Sequence, residues 1–328
     1  MSQTRISDTA GTSSAPVLPR IAIVIPCYNE EEVIPETSRR LRDKLAQLAA
    51  AGAISPDSRI YLVDNGSHDR TWELIEALCR DHAQFSGIKL ARNRGHQNGL
   101  LAGLLTAQGD ALISMDADLQ DDVDQVDRMV EEYRKGAHIV YGVRRSRAED
   151  SAFKRLTAHW FYKLMRWLGA DILENHADYR LMSRRAVDAL GEFEEVNLFL
   201  RGLVPLIGLR SAVVYYDRGS RFAGTSKYPL RRLTGFAIDG LTSFSVVPLR
   251  IISLLGLLIS ALTVVLAGWV LWVRLFTDVP TPGWASTVIP VYFIGGVQLL
   301  CLGVIGEYLG KTYQEVKARP RYTIEKTL

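Results

Sequence analysis

The sequence predicts an α/β domain with a mostly parallel, doubly wound sheet, followed by interfacial helices and a hairpin of two membrane-spanning helices. Before residue 145, apolar runs typical of strands alternate four times with helical patterns and short loops. Such alternation indicates parallel strands joined by right-handed crossovers. After Arg250 the chain becomes mostly apolar, whereas charged residues are concentrated before it. A chain of 328 residues has room for one large domain and an appendage.

The elements of the sheet follow one another in a regular order. The first strand, 21–25, is a continuous run of Ile, Ala and Val, as expected for a strand buried on both faces. In the next helix, Leu41, Leu45 and Leu48 recur at helical spacing. The remaining predicted elements are helix 31–51, strand 60–63, helix 71–80, strand 87–90, helix 98–108, strand 111–115, helix 123–135 and strand 138–143.

The stretch Asp116-Ala117-Asp118-Leu119-Gln120-Asp121-Asp122 follows the apolar run 111–115. The carboxyl end of a strand is where ligands bind in an open α/β sheet. Two carboxylates one residue apart can hold one hard divalent cation, which usually also contacts substrate phosphates. A helix start is expected here as well, with Asp121 or Asp122 capping helix 123–135. The cap would account for the last two acids of the stretch but not for the first two.

Polar residues follow every predicted strand, and so they are expected to gather at one edge of the sheet. A crevice of nucleotide size at that edge is the default inference. The chain contains neither the Gly-x-Gly-x-x-Gly dinucleotide motif nor the Walker Gly-x-x-x-x-Gly-Lys-Ser/Thr motif. A metal ion is therefore the expected partner of the phosphates.

The composition argues against several other classes of protein. A net charge of +3, without an aromatic-interleaved basic patch, does not favour nucleic acid as a partner. The cysteines, Cys27, Cys79 and Cys301, are widely spaced and odd in number, which is neither a disulfide framework nor a zinc pattern. Residues 1–19 lack the apolar run of a secretory signal and are expected to form a disordered tail.

Two apolar stretches predict a membrane hairpin. Residues 251–273 carry no charge and are long enough, at about 1.5 Å per residue, to cross a hydrocarbon core of roughly 30 Å. A second stretch, 288–306, follows a short polar loop. Lysines and arginines flank the hairpin but are nearly absent from its loop, so we expect a multi-pass protein of the inner membrane with its large domain in the cytoplasm. A buried core hairpin is the alternative.

Basic segments lie between the predicted sheet and the hairpin. Segment 152–168 is aromatic and basic, and it is either a packing helix or a contact with membrane and acidic head groups. Segment 229–248 has the pattern of an interfacial helix. Segments 178–185 and 221–228 are short, basic and loop-like; their Arg and Lys residues suit phosphate oxygens, or else form a solvated basic face.

Several motifs together resemble glycosyltransferase family 2. They are Ile25-Pro26-Cys27-Tyr28-Asn29-Glu30-Glu31, Val63-Asp64-Asn65-Gly66-Ser67-His68-Asp69, Arg94-Gly95-His96-Gln97 and Asp116-Ala117-Asp118-Leu119-Gln120-Asp121. More narrowly, the chain is similar to the polyprenyl-phosphate glycosyltransferases, such as bactoprenol glucosyltransferase and dolichol-phosphate mannose synthase. The resemblance runs from about residue 21 to residue 322 and includes the membrane hairpin.

The resemblance implies a GT-A fold and an inverting transfer of a sugar from a nucleotide sugar to a membrane polyprenyl phosphate, such as undecaprenyl phosphate. It implies Mg²⁺ or Mn²⁺ as cofactor. The residue roles that it implies are nucleotide binding by Pro26, Tyr28, Asn29, Glu30, Asp64, Asp116 and Ala117, metal binding by Asp116, Asp118 and Gln120, phosphate binding by Arg144, Arg155, Arg221 and Lys227, and catalysis by Asp178, Asp118 and Arg180. The implied domain order is a tail (1–19), a GT-A domain (20–228), interfacial helices (229–248), two membrane helices (about 251–274 and 288–309, within 249–310) and a cytoplasmic tail (311–328).

The chain departs from the family pattern at two places. Asn65 stands where the family commonly has a second acid, and Asp121-Asp122-Val123 lacks the proline that often follows the metal motif. The first departure bears on base or ribose contact at that position. The second changes the helix start rather than the metal site.

The chemistry of the acceptor removes the need for a strong general base, because a phosphate oxygen is already largely ionised near neutral pH. His96, His138 and His159 are therefore expected to be structural. Asp178 would orient the acceptor or stabilise the positive charge that develops on the sugar. Both roles of Asp178 are hypotheses.

The donor and the oligomeric state stay open at this stage. UDP-glucose is favoured, with GDP-mannose and UDP-aminoarabinose as alternatives. A processive polysaccharide synthase is a rival, although Lys163-Leu164-Met165-Arg166-Trp167 lacks the Gln of the Gln-x-x-Arg-Trp motif. A non-catalytic membrane scaffold is the other rival. Gly295 and Gly296 would allow close helix packing, which leaves a homo-oligomer open.

Overall fold

The fold is known from a computed structural model, which describes residues 18–145, 176–196, 198–217, 246–276 and 283–328. The strands in these ranges are β1 (Ile21–Cys27), β2 (Arg59–Asp64), β3 (Phe85–Leu90), β4 (Ala111–Ser114), β5 (Ile139–Arg144), β6 (His176–Ser183), β7 (Ser211–Tyr216) and β8 (Ile324–Thr327). The helices are α1 (Ile34–Ala50), α2 (Thr71–Asp81), α3 (His96–Thr106), α4 (Gln125–Arg134), α5 (Arg184–Gly191), α6 (Leu200–Leu206), α7 (Val247–Phe276) and α8 (Trp284–Val316).

These strands form one mixed sheet in the order β7-β5-β6-β4-β1-β2-β3-β8. β1 is parallel to β2 and β4, β2 is parallel to β3, and β5 is parallel to β7. β6 is antiparallel to β4 and β5, and β8 is antiparallel to β3. The predicted mostly parallel sheet is thus confirmed. Because β6 runs the other way, its first residues lie at the same edge as the carboxyl ends of the parallel strands.

Helices cover the two faces of the sheet. Ile21, Ile23 and Ile25 of β1 belong to the apolar layer shared with α1, α2 and α4. Ala22 and Val24 belong to the opposite layer, shared with α3, α5 and α6. Successive side chains of a strand point to opposite faces, so an uninterrupted apolar run is what a strand between two layers requires.

Segment 178–185, predicted to be a loop, forms most of β6 and the start of α5. Its charged residues obscure the strand pattern in the sequence. In the structure, however, Arg180 donates a hydrogen bond to Asp178 at 2.5 Å, and both side chains are buried in the sheet. Tyr179 and Leu181, between and beside them, are fully buried. The pairing of the two charges is what makes the strand possible.

Helix α4 begins later than predicted, and neither Asp121 nor Asp122 caps it. The residue before the helix is Asp124, which makes no side-chain capping bond. Asp122 accepts hydrogen bonds from the Asp124 backbone N–H (3.0 Å) and from the Gln125 side chain (2.7 Å). The capping prediction is wrong because the chain makes one more turn after the acidic residues before the helix starts.

The two long C-terminal helices, α7 and α8, are apolar and are not covered by the rest of the described chain. Segments Val247–Val273 and Phe293–Val316, of 27 and 24 residues, have mean hydropathies of 2.5 and 1.5 and are 0% buried. Both are long enough to cross a membrane. The predicted helix 152–168 lies outside the described residues, and so does 229–248 up to residue 245.

The predicted C-terminal tail, 311–328, begins within α8 and ends in a strand. Residues 324–327 form β8 and pair with β3, with Ile88 opposite Thr327 and Lys89 opposite Lys326. The reason is that β3 would otherwise be an edge strand with unpaired backbone groups. Four residues with one apolar side chain carry too weak a pattern for the sequence to predict this strand.

Candidate active site

The loops after β1 and β2 are linked through Asn29. Its backbone N–H donates to the Ser67 hydroxyl (3.0 Å), and its side-chain oxygen accepts from the His68 backbone N–H (2.9 Å). Asn29 has a φ of 54°, a left-handed conformation that asparagine tolerates better than most residues. Tyr28 meets the His68 ring edge-on at 6.5 Å. The predicted nucleotide-binding residues of β1 therefore lie directly beside the end of β2.

Asp64 is fully buried at the end of β2. One oxygen accepts from the Ser67 backbone N–H (3.0 Å), and the other has no hydrogen-bond partner within the described part of the chain. Burial raises the pKa of this carboxyl, against the effect of the Ser67 bond. An unpaired buried acceptor costs free energy, so this oxygen is suited to a donor from a ligand.

The hydrogen bonds of the Asn65 side chain explain why an asparagine fits the position where the family commonly has an acid. Its side-chain oxygen accepts from the Arg94 backbone N–H (3.0 Å), and its amide group donates to the Gly95 carbonyl (3.0 Å). An aspartate could make the first bond but not the second. Gly66 lets the same loop approach, because a Cβ there would lie 2.5 Å from the Asn93 nitrogen. The two residues together hold the loop that leads into α3.

The acidic loop, residues 116–122, follows β4, and two of its backbone carbonyls are anchored by neighbouring side chains. Thr37 donates its hydroxyl proton to the Ala117 carbonyl (2.7 Å), and Tyr179 donates to the Asp122 carbonyl (3.0 Å). Leu119 has a φ of 56°, which is strained for a residue with a branched side chain. Strain of this kind persists only where neighbouring contacts impose it.

The buried Asp121 connects the acidic loop to β5 and β7. The Tyr216 hydroxyl donates to one oxygen of Asp121, and an Arg144 nitrogen lies 3.6 Å from that oxygen. Arg144 also donates to the Tyr216 oxygen (3.2 Å). Burial raises the pKa of Asp121, and the bonds from Tyr216 and Arg144 oppose the rise. Arg144 is the one predicted phosphate-binding residue inside the described ranges; Arg155, Arg221 and Lys227 lie outside them.

The Asp178 cluster consists of one carboxylate and the side chains around it. Four residues place nitrogen atoms near its oxygens: Arg180 (2.5 Å), Gln97 (3.1 Å), Arg201 (3.2 and 3.4 Å) and His96 (3.5 Å). Burial alone would raise the pKa of Asp178, but the His96 bond and the charges of Arg201 and Arg180 hold it well below its ordinary value. Asp178 therefore stays ionised, as an anchor for cations rather than a proton acceptor.

Sequence reasoning did not identify His96 and Arg201 as members of this site. The His96 Nε2 atom lies 3.5 Å from both Asp116 and Asp178, so it joins the acidic loop to the cluster. The polar motif that contains His96 was a usable signal. Arg201 had none, because it stands in a short apolar helix whose position only the tertiary structure reveals.

The residues of the acidic loop fit a hard divalent cation whose shell a substrate completes. Among the described residues, no group of three or more His, Cys, Asp or Glu side chains is arranged to hold a metal. The predicted set, Asp116, Asp118 and Gln120, offers only oxygen from its carboxylates and amide carbonyl, as Mg²⁺ and Mn²⁺ prefer. Mg²⁺ is commonly bound by one or two carboxylates together with substrate phosphates.

Comparison with known proteins identifies the family. The sequence profile described as "Glycosyl transferase family 2" matches residues 22–191. The chain belongs to glycosyltransferase family 2. It is a glycosyltransferase, and its mixed sheet is the GT-A domain of that family.

Relatives match this family 2 chain over nearly its whole length. "Uncharacterized glycosyltransferase YkoT" of Bacillus subtilis is 48% identical over 94% of this chain and 91% of its own length. "SfII prophage-derived bactoprenol glucosyl transferase" of Shigella flexneri is 37% identical over 94% of this chain and 98% of its own. Among solved structures, glucosyl-3-phosphoglycerate synthase from Mycobacterium tuberculosis gives a TM-score of 0.46 at 18% identity, over 69% of this chain and 80% of that chain. The predicted resemblance to the polyprenyl-phosphate members is confirmed by relatives that carry the bactoprenol name.

Proposed function

We propose that this glycosyltransferase transfers glucose from UDP-glucose to the phosphate of a membrane polyprenyl lipid, with inversion at the sugar. The observation that carries the proposal is the length of the match: the bactoprenol glucosyl transferase of Shigella flexneri aligns over 310 residues, 94% of this chain. A match of that length includes residues from both the catalytic domain and the apolar helices. Those helices would hold the enzyme where a lipid phosphate is available.

The donor would lie across the carboxyl ends of β1, β2 and β4. Pro26, Tyr28, Asn29, Glu30 and Asp64 are the proposed contacts of base and ribose, with Asp116 and Ala117 beside them; the buried unpaired oxygen of Asp64 supports this placement. Asp116, Asp118 and Gln120 would hold Mg²⁺ or Mn²⁺. When bound, this cation supplies Lewis-acid stabilisation of the charge that develops on the departing diphosphate.

The acceptor would approach from the side of the Asp178 cluster. Its phosphate oxygen needs no strong base, and the lowered pKa of Asp178 agrees with a role in which this residue keeps its charge. Asp178 and Arg180 would orient Arg201 and His96 toward the reacting phosphates. Arg144, held by Tyr216 and Asp121, is a proposed phosphate contact, as are Arg155, Arg221 and Lys227.

The proposed location is the inner membrane, with two crossings and the catalytic domain in the cytoplasm. Arg250 lies in the first turn of α7, before its charge-free stretch, Lys311 lies near the end of α8, and Lys317 directly follows α8. Positive residues collect on the cytoplasmic side of such helices.

The test is a transfer assay with detergent-purified full-length enzyme and undecaprenyl phosphate. UDP-glucose and GDP-mannose are offered separately, each with Mn²⁺ or with EDTA, and lipid-linked sugar is measured. We expect product from UDP-glucose that EDTA abolishes. Product from GDP-mannose alone would show that the donor is GDP-mannose and not UDP-glucose. Absence of product from both would contradict glucose transfer from UDP-glucose. Transfer from UDP-aminoarabinose would then reassign the donor, whereas binding of UDP or GDP in calorimetry without any transfer would support the scaffold alternative.

A further inference from the structure

The linker between α5 and α6, described at residues 192–196 and 198–199, ends in the active site. At its far end, the Leu200 backbone N–H donates to the Gln97 side-chain oxygen (3.1 Å), and the Leu200 carbonyl accepts from Arg180 (3.3 Å). The next residue, Arg201, donates two hydrogen bonds to Asp178. The backbone of residue 200 is thus held by the same side chains that surround Asp178.

The body of the linker is held by a different part of the chain, the segment that follows the apolar part of α8. The Glu315 carboxylate accepts from the Val196 backbone N–H (2.8 Å), and Arg321 donates to the Phe193 carbonyl (2.7 Å). Tyr322 packs against the same apolar layer as Phe193. We call residues 315–328 the strap.

The far end of the strap is fixed to the sheet. The Leu328 N–H donates to the Gly87 carbonyl (2.8 Å), beyond the pairing of β8 with β3. Lys326 pairs with Glu76 (2.7 Å), and Glu325 pairs with Lys89 (3.0 Å). The strap is therefore anchored at one end by an apolar helix and at the other by a strand, with the linker contacts between these anchors.

The strap contacts bear on the site because α6 has little stability of its own. It has seven residues, and isolated helices shorter than about 12 residues are marginal in water. Its position is set by its buried side chains, Leu200, Leu203 and Val204, and by what holds the linker before it. A shift of the linker would move Leu200 and Arg201 away from Gln97, Arg180 and Asp178 together.

We propose that the strap is a positioning element of the active site, in which Glu315 and Arg321 hold the linker so that Arg201 meets Asp178. Glu315 and Arg321 act through Arg201 and do not touch substrate. The inference rests on the proposed function only where enzyme activity is measured. The effect on hydrogen exchange does not depend on that function. It links the end of the apolar helix α8 to the geometry of the Asp178 carboxylate.

The structural test is amide hydrogen exchange in the full-length enzyme. Glu315→Ala is expected to accelerate exchange at Val196 and Leu200. Glu315→Gln keeps the side-chain acceptor and is expected to retain protection. Glu325→Ala, which removes a strap ion pair that does not contact the linker, is the matched control. Unchanged protection at Leu200 in both Glu315→Ala and Arg321→Ala would overturn the proposal.

The functional test separates positioning from general destabilisation. Glu315→Ala should lower kcat for transfer to lipid about tenfold, since small misplacement of catalytic groups is costly, while KM for the nucleotide sugar stays within about twofold. Glu315→Gln should restore kcat. In combination with Arg201→Lys, Glu315→Ala should add little, because both changes disturb one interaction; losses that multiply would contradict the proposal. If the wild-type enzyme transfers no sugar, the proposed function fails, while the exchange experiment still decides the role of the strap.

Discussion

Asp116 of the acidic loop and Asp178 of the Asp178 cluster lie at the same edge of the sheet, but their carboxylates are held in opposite ways. The Asp116 side chain is 37% exposed and that of Asp178 is 5% exposed. Next to Asp116 the loop is fixed through the Ala117 carbonyl, which leaves the Asp116 carboxylate facing outward. The cluster is fixed through its carboxylate, which two arginines saturate. An outward acid suits a cation and a substrate, whereas a saturated acid suits the orientation of its neighbours.

The largest expected effect is on stability, from removal of the cluster's central charge. Asp178→Ala leaves Arg180 buried without its partner, and loss of one member of a buried ion pair costs about 3–5 kcal/mol. We expect a fall of that size in the free energy of unfolding, measured by denaturant titration. Asp188→Ala, which removes an exposed pair with Arg184, is the control and should cost at most about 1 kcal/mol. Similar losses for both variants would mean that the buried Asp178–Arg180 pair stabilises the fold no more than the exposed Asp188–Arg184 pair does.

The same cluster predicts a pH dependence of stability. The folded-state pKa of Asp178 lies below its unfolded value, so the unfolded state binds the proton first as the pH falls. The stabilisation is present above the unfolded pKa of about 4 and is lost as the pH falls through the folded one. The stability difference between wild type and Asp178→Asn should therefore shrink below about pH 4. If this stability difference grew as the pH falls, the folded-state pKa of Asp178 would be raised and not lowered, which would contradict the prediction.

The next effect is on activity and concerns the acidic loop. Asp118→Asn keeps an acceptor for the Gln120 backbone N–H, now 3.2 Å from Asp118, but removes the negative charge. Loss of a preorganised electrostatic group costs about 100- to 1,000-fold in kcat. We expect a loss of that order in the transfer assay with an unchanged melting temperature. Asp43→Asn, on the surface of α1, should change neither quantity.

A smaller effect tests how the acidic loop is held against β5 and β7. Tyr216→Phe removes the hydroxyl that donates to Asp121 and accepts from Arg144. Asp121 already has one buried oxygen without a partner among the described residues, so the change should cost about 1–3 kcal/mol. Tyr215→Phe is the matched control, because Tyr215 is 54% exposed on the same strand and should be neutral. Thermal unfolding of the three proteins measures the difference.

The smallest effect concerns the asparagine that departs from the family pattern. Asn65→Asp keeps the acceptor for Arg94 and loses the donor to Gly95, so it should cost about 1 kcal/mol. Asn65→Ala loses both bonds and should cost more. Hydrogen exchange at the Arg94 amide distinguishes the two variants. Faster exchange in Asn65→Asp than in Asn65→Ala would be inconsistent with the geometry.

Local patterns in the sequence were sufficient for the parallel part of the sheet. The run 21–25 and the spacing of Leu41, Leu45 and Leu48 predict β1 and α1 because burial on both faces or on one stripe leaves a direct mark on composition. The polar residues after β1, β2 and β4 also form a local pattern. They predict a site because ligands bind at the carboxyl ends of the strands in an open α/β sheet. The assignment of individual residues in that site to nucleotide, metal and phosphate stays a prediction.

Charged residues inside the sheet were harder to interpret. Asp178 and Arg180 made segment 178–185 resemble a loop, because the sequence does not show that two charges will pair in the interior. Asp121 and Asp122 resembled caps for a related reason: an acid before a helix has several partners available, and only the fold selects one.

The sequence by itself determined the α/β class, the edge of the sheet where the polar residues gather, the apolar helix pair and the family. These follow from patterns that are local, since each depends on residues within one or two elements. The tertiary structure decided the direction of β6, the joining of His96 and Arg201 to Asp178, and the pairing of β8 with β3. Gln97 and Asp178 are 81 positions apart, and the strap contacts span more than 100. Contacts at such separations depend on how whole elements pack, and no local pattern records them.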